Sequence, residues 1–273
     1  MAHGITLTRD TYWEKTAATK WGSYVTDLER FAILKAHELS KKPEIAFEIG
    51  VEGGRWSKLL ADLGWKLICT DVDEETLAIC QKRISTAHCV LVEPDANRLP
   101  SHSESISLLL CMEVAPVIQS DWFIGEASRV LQNDGLMVGV FWNLLSLRGS
   151  FAHLRSSYTG EYDYYRYSYR MWRRKLLYRG YNLLHEEGFC WFPFRRQSNS
   201  KLIPYFVRAE QRLGLRKLPL ISPWVVFIAQ KSPANTSCSK SNDNANRGTC
   251  PLASAKDPAR SAELLRLRCA SNA

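Results

Sequence analysis

The 273-residue sequence predicts an α/β chain built on a mostly parallel sheet. Three observations carry that prediction. Short apolar runs alternate with helix-spaced segments from about residue 44 to residue 142. The first run, Ile45–Ile49, ends in a Gly-rich turn, Gly50-Val51-Glu52-Gly53-Gly54. The second run, Trp65–Thr70, ends in Asp71, 21 positions after Gly50.

Residues 1–43 read as helical, since Trp21, Tyr24, Val25, Leu28, Phe31 and Ala32 recur near helical intervals and Lys41-Lys42-Pro43 ends the pattern. After the first strand and its turn, Trp56, Leu59, Leu60 and Leu63 mark a helix. Strand, tight turn and helix make the first half of a βαβ unit. Glycines let the backbone approach a ligand, the helix start offers unpaired N–H groups, and an acid ending the next strand can accept bonds from ribose hydroxyls. This half of the chain therefore reads as a nucleoside-cofactor site. Asp73–Arg83 is the next helix, with acids in its first turn and bases in its last. Val90–Val92 is a third strand, followed by Glu93-Pro94-Asp95-Ala96-Asn97-Arg98-Leu99-Pro100. Ile106–Val114 is a continuous apolar run suited to a strand buried on both faces. Its end makes Cys111, Met112 and Glu113 candidate cavity liners. Asp121–Leu131 is a helix, and Asn133-Asp134-Gly135 a turn into the fifth strand.

From Ser146 the character changes. Tyrosines and arginines crowd residues 155–170, and Trp172–Gly180 is a basic helix. Residues 181–193 read as a strand, 202–215 as an inserted helix, and Pro223–Lys231 as the last strand. Residues 232–273, rich in Ser, Asn and Ala, read as a disordered tail.

The turn does not fit the dinucleotide G-x-G-x-x-G pattern. It resembles the E/D-x-G-x-G-x-G loop of class I S-adenosylmethionine-dependent methyltransferases, the ubiquinone/menaquinone-biosynthesis type among them. Glu48 takes the acidic position, Gly50 the first glycine and Gly54 the third, while Glu52 replaces the second and has Gly53 beside it. Asp95-Ala96-Asn97-Arg98-Leu99-Pro100 resembles that family's D-A-x-x-L-P segment, and Arg129–Gly135 its turn into strand five. The likeness covers residues 44–142 well and 15–231 loosely. It implies a Rossmann-like three-layer sandwich with a mostly parallel seven-stranded sheet, whose last strand lies antiparallel between strands five and six. It also implies an S-adenosylmethionine site made by Glu48, Gly50, Gly53, Gly54, Asp71, Val72, Asp95, Ala96 and Met112. In it Asp71 meets the ribose, and Asp95 and Ala96 the adenine. Residues 1–43 become a helical lid, to which Trp21 and Tyr24 contribute unless they pack the helix on the sheet. Residues 44–231 become the methyltransferase domain, with 148–218 as an acceptor cover. A left-handed backbone at Glu52 would cost about 1 kcal/mol or more. The expectation is therefore that Gly53 and Gly54 carry the tight turn and Glu52 is an ordinary loop residue.

Composition bounds the rest. No run is long and apolar enough for a transmembrane helix, and the N-terminus lacks a signal-peptide pattern, which gives a cytoplasmic expectation. Eight cysteines occur without a C-x-x-C pair, so they read as small buried hydrophobes, and no metal site is expected. The net charge of +8 is uneven: −6 over residues 1–147, +11 over 148–231 and +3 over the tail. The expected activity is methyl transfer to a small-molecule or lipid-like acceptor, anionic or aromatic, by in-line displacement. Its alternatives are a methyltransferase on RNA or protein that uses the +11 segment, and a non-catalytic degenerate fold or membrane-surface protein. Glu52 motivates the degenerate form, and Trp191–Arg196 the membrane form. No His follows the fourth strand, where Ala115-Pro116-Val117 stands, so His153 is the candidate base. Tyr162, Tyr165 and Arg166 are candidate acceptor-binding residues, against the alternative that they are ordinary surface and packing residues.

Overall fold

The computed structural model describes residues 11–40, 43–160 and 162–233. The expectations for residues 1–10, for the Lys41-Lys42 helix stop and for the tail beyond residue 233 lie outside the described residues.

Seven strands form one sheet: β1 (Ile45–Ile49), β2 (Lys66–Asp71), β3 (His88–Leu91), β4 (Ile106–Cys111), β5 (Leu131–Trp142), β6 (Tyr181–Phe189) and β7 (Trp224–Lys231). Their order is β3-β2-β1-β4-β5-β7-β6. The first five are parallel, and β7 runs antiparallel to both β5 and β6, as expected. The helices are α1 (Tyr12–Ala17), α2 (Lys20–Leu39), α3 (Arg55–Asp62), α4 (Glu74–Arg83), α5 (Ala115–Ile118), α6 (Phe123–Val130), α7 (Leu147–Thr159), α8 (Tyr169–Tyr178) and α9 (Ile203–Arg212).

Each strand feeds two cores because its neighbours in sequence face opposite sides. Ala46, Leu108, Leu110, Val138 and Val226 join one apolar cluster with α2 and α3. Phe47, Leu109, Met137 and Phe227 join the other with α6 and α8. A sheet covered on both faces is a three-layer sandwich.

Four local differences from the expected elements matter. The N-terminal helical region is two helices, because Thr11 and Thr19 each cap a new start. Strand β4 stops at Cys111, three residues early, and the chain turns through Glu113 at φ 56°. The Asn133-Asp134-Gly135 turn is a bulge within β5, where pairing jumps from Ile106↔Leu131 to Leu108↔Leu136. Strand β6 ends at Phe189, not Pro193, and the freed segment returns across the sheet edge to reach α1 and α2.

Candidate active site

The parallel strands β1, β2 and β4 end on one edge, and a cavity of about 1010 Å³ opens there. At the end of β1, Gly50 (φ 70°) turns the chain, and a Cβ on it would lie 2.7 Å from Val114 Cγ2. Only glycine allows that approach. Three consecutive residues then take left-handed backbone: Glu52 (φ 48°), Gly53 (φ 102°) and Gly54 (φ 82°). Glu52 is thus part of the tight turn, not an ordinary loop residue. Its N–H donates to Asp71 Oδ2 at 2.9 Å, and its Oε1 accepts from Trp13 N at 2.9 Å. These bonds offset the backbone strain and tie the loop to α1.

The glycines divide the work. Gly50 and Glu52 line the cavity, while Gly53 and Gly54 lie outside the lining and face the protein. A Cβ on Gly53 would sit 2.7 Å from Thr11 Cγ2, and one on Gly54 2.7 Å from Cys80 Sγ.

Asp71 ends β2 inside the cavity. Its Oδ1 accepts from Val72 N (2.8 Å) and Asp73 N (3.2 Å), and its Oδ2 from Glu52 N. A carboxylate offers about four acceptor sites, so about one is left, on Oδ2. Burial raises the Asp71 pKa, against these three N–H bonds. Val72, Ala96 and Met112 line the cavity, as do Glu93 and Arg98. Asp95 is exposed and lies outside the lining, although Ala96 next to it lies within.

The cavity wall is rich in buried acid. Glu48 accepts a hydrogen bond from Ser57 Oγ, and burial pushes its pKa up to about 8. Burial likewise pushes Glu52 to about 7. Glu113 is only 4 % exposed; no N–H or O–H donor reaches its oxygens among the described residues, and its contact is with the Glu29 carboxyl. Burial first, then the neighbouring Glu29, drive its pKa well above the usual range, with Arg196 and Arg55 opposing. Glu29, fully buried on α2, pairs with Arg55 Nη2 at 3.0 Å, yet burial still raises its pKa. Two carboxyls this close in a dry site hold at least one proton between them at neutral pH.

The cover is built by α1 and the loop 195–198. Thr11, Tyr12, Trp13 and Lys15 line the cavity from one side, and Arg195, Arg196, Gln197 and Ser198 from the other. Arg83 bridges α1 to the glycine loop, donating to both Glu14 oxygens and to Gly53 O. Gln197 Nε2 reaches Thr16 Oγ1 at 3.3 Å, and Ser198 O accepts from Trp21 N at 3.1 Å. Trp21 and Tyr24 are packing residues. Trp21 meets the Trp224 ring edge-on at 5.5 Å, and Tyr24 Oη donates to Glu210.

The expected acceptor residues stand elsewhere. His153 lies half-exposed on α7, with Nδ1 2.5 Å from Asp163 Oδ2. Tyr165 is buried, and its Oη accepts from Trp224 Nε1 at 2.9 Å. Tyr162 packs against the Tyr164 ring, and Arg166 lies over the Tyr167 ring. None of these four lines the cavity. Sequence reasoning missed the roles of Trp13, Glu52, Arg195 and Arg196. The Thr11-x-x-Glu14 capping signature could have flagged α1, because it forms a capping box here. Arg195 and Arg196 stand in the Trp191–Arg196 stretch, whose composition points to a membrane surface and not to the cavity.

The thiols of Cys69, Cys80 and Cys89 come within 4.8 Å of one another behind the glycine loop. They offer three sulfur ligands that the sequence spacing did not suggest.

A family model described as a methyltransferase domain matches residues 47–139. No curated protein sequence matches the chain significantly. Among solved structures, similarity extends to an S-adenosylmethionine-dependent methyltransferase from Mesorhizobium loti, with 14 % identity, TM-score 0.53, and coverage of 74 % of this chain and 97 % of that one. A protein from Galdieria sulphuraria, provisionally described as a sarcosine dimethylglycine methyltransferase, aligns at 12 % identity and TM-score 0.55 over 77 % of this chain and 86 % of that one. A geranyl diphosphate methyltransferase in complex with GPP and sinefungin aligns at 12 % identity and TM-score 0.52 over 77 % and 80 %. The chain has the class I S-adenosylmethionine-dependent methyltransferase fold.

Proposed function

We propose that this chain is an S-adenosylmethionine-dependent methyltransferase acting on a small-molecule or lipid-like acceptor. The observation that carries this reading is the joining of Asp71 to the Gly50–Gly54 loop at the mouth of an acid-walled cavity. The residues fit the cofactor. Its positive charge suits Glu48 and the Glu113–Glu29 carboxyl pair, and its ribose suits the remaining acceptor site on Asp71 Oδ2. Ala96 and Val72 supply backbone and apolar contact for the base. Bound there, the cofactor supplies an electrophilic methyl group on a sulfonium, open to in-line displacement.

The protein's own work is alignment and exclusion of water. Trp13 from α1 and the loop 195–198 close over the cavity. Glu113, just beyond the end of β4, lines the cavity and shares a proton with Glu29, so it is placed to face the cofactor's charge or an acceptor's polar group and is not a ready base. His153 has no such placement. An aromatic acceptor of the quinone-biosynthesis type belongs to the class that an apolar rim of Val114, Val117 and Trp122 accommodates.

Calorimetric titration with S-adenosylmethionine tests the reading. The wild type should bind, and Asp71→Ala should lose binding, because the loop loses its anchor together with the ribose contact. A folded wild type that does not bind would overturn the proposal.

A further inference from the structure

We infer that α7 and the adjoining residues 212–221 form a docking surface for an anionic lipid bilayer. The helix is held to the body at its first turn. Ser146 caps it, and Gly149 is buried there, where an added methyl group would meet Asn143 O at 2.1 Å and Tyr165 Cδ1 at 2.9 Å. Apart from Gly149 and the half-buried Arg148, Ala152 and Ser156, the side chains of the helix face outward. Four of them are large and apolar: Leu147 (94 % exposed), Phe151 (72 %), Leu154 (55 %) and Tyr158 (85 %). Their spacing of four, three and four residues places them on one face of the helix. Soluble surfaces scatter such residues singly, and a contiguous stripe marks an interaction site.

The stripe continues onto a second segment. Asn143 Nδ2 donates to Leu220 O and Ser222 O, both at 3.0 Å, and Asn143 Oδ1 accepts from Leu145 N. Exposed Leu145, Leu220 and Ile221 are thereby brought to the foot of α7.

Charge selects the occupant. Residues 144–160 and 211–223 contain no Asp or Glu, and they carry Arg148, Arg155, Arg212, Arg216 and Lys217. Arg155, Arg212 and Lys217 are exposed. A surface that is apolar at its centre and basic around it, with its neighbouring acids Asp163 and Glu187 tied to His153 and Arg216, suits a bilayer with anionic headgroups. RNA would use the bases and leave the apolar stripe in water. No helix among the described residues is long and apolar enough to cross a membrane, so this contact is peripheral. Strand β5 ends at Trp142, on the sheet edge where the cavity opens, so the surface and the cavity share one side of the sheet.

Co-sedimentation of the full chain with vesicles of phosphatidylcholine and phosphatidylglycerol, three parts to one, tests this. The chain should pellet with them and bind pure phosphatidylcholine vesicles about tenfold more weakly. Added salt should release it. The Leu147→Ser/Phe151→Ser variant should lose about tenfold in vesicle binding, while its circular dichroism melt stays that of the wild type, since neither side chain packs in the core. These readouts do not require methyl transfer, so they stand whether or not the cofactor reading does. Failure of the folded wild type to pellet with anionic vesicles would overturn the inference, as would equal pelleting of the variant. So would retention of tRNA without vesicle binding, or a dimer in sedimentation that the same two substitutions dissolve while lipid has no effect.

Discussion

Gly54 shows how a single position can serve both loop and core. It starts α3 with φ 82°, and its missing side chain makes room for Cys80 Sγ on α4. A methyl group there meets two separate penalties, the left-handed backbone and the sulfur at 2.7 Å. The first belongs to Gly54 alone and the second to the pair. Gly54→Ala should therefore destabilise the fold by about 1–3 kcal/mol. Adding Cys80→Ala should recover the steric part and leave the backbone part, a coupling of about 0.5 kcal/mol or more. Urea unfolding of the two single variants and the double variant measures both. Additive effects would mean that the α4 backbone absorbs the clash by moving. Glu52 is the contrasting case at the same loop. It tolerates φ 48° because its N–H and carboxylate each have a fixed partner, Asp71 and Trp13. No pattern in the sequence separates that position from an ordinary loop residue, because the compensating bonds come from 19 and 39 residues away.

At the scale of elements, the cover depends on α1, a six-residue helix too short to persist alone. Its capping box, the Trp13–Glu52 bond and the Arg83–Glu14 pair hold it against the loop. Arg83 is the keystone, since it also binds Gly53 O. Arg83→Met keeps the stem and removes the bridge, at a cost of order 1 kcal/mol for a half-buried pair. If α1 closes over the cofactor, S-adenosylmethionine affinity should fall by roughly five- to tenfold. Calorimetry reads that directly, and unchanged affinity would remove α1 from the site. The strands were legible because a parallel sheet buried on both faces leaves continuous apolar runs, as in Ile106–Cys111 and Trp224–Ala229. Gly50, Asp71 and Met112 were legible as cavity residues because strand ends fix their place. The cover was not. Gln197 meets Thr16 across 181 residues of sequence, and no local period encodes such a contact. The tyrosine cluster misled for the opposite reason. Its composition suggested a pocket, but Tyr165 and Tyr169 turn inward and bond to Trp224 and Glu186.

Over the whole molecule, the site concentrates buried acid with little buried base to match. Glu48, Glu52, Glu29, Asp71 and Glu113 all have raised pKa values, each with burial as the largest cause. Arg55 bonds only Glu29 among them. A cavity of that kind is built for a cation, and the empty fold bears the cost of holding the acids out of water. The sign of the linkage follows. Each group is raised above its own ordinary value, Glu48 and Glu52 well above 4.5, so the folded chain holds more protons than the unfolded chain. That stabilisation is complete below about pH 4.5 for these groups and is lost as pH rises through about 7 for Glu52 and about 8 for Glu48. Unfolding free energy without ligand should therefore fall between pH 6 and pH 8, by an amount on the order of a few kcal/mol. Glu48→Gln should flatten the upper part of that fall, because the amide keeps the Ser57 bond and cannot ionise. A cationic ligand reverses the balance by favouring the carboxylates, so S-adenosylmethionine binding near pH 7 should release protons. Calorimetry in buffers of different ionisation enthalpy counts them. Stability that stays level or rises from pH 6 to pH 8, with no proton release on binding, would mean that these carboxyls are already ionised in the folded chain and that the cavity is wetter than its walls indicate.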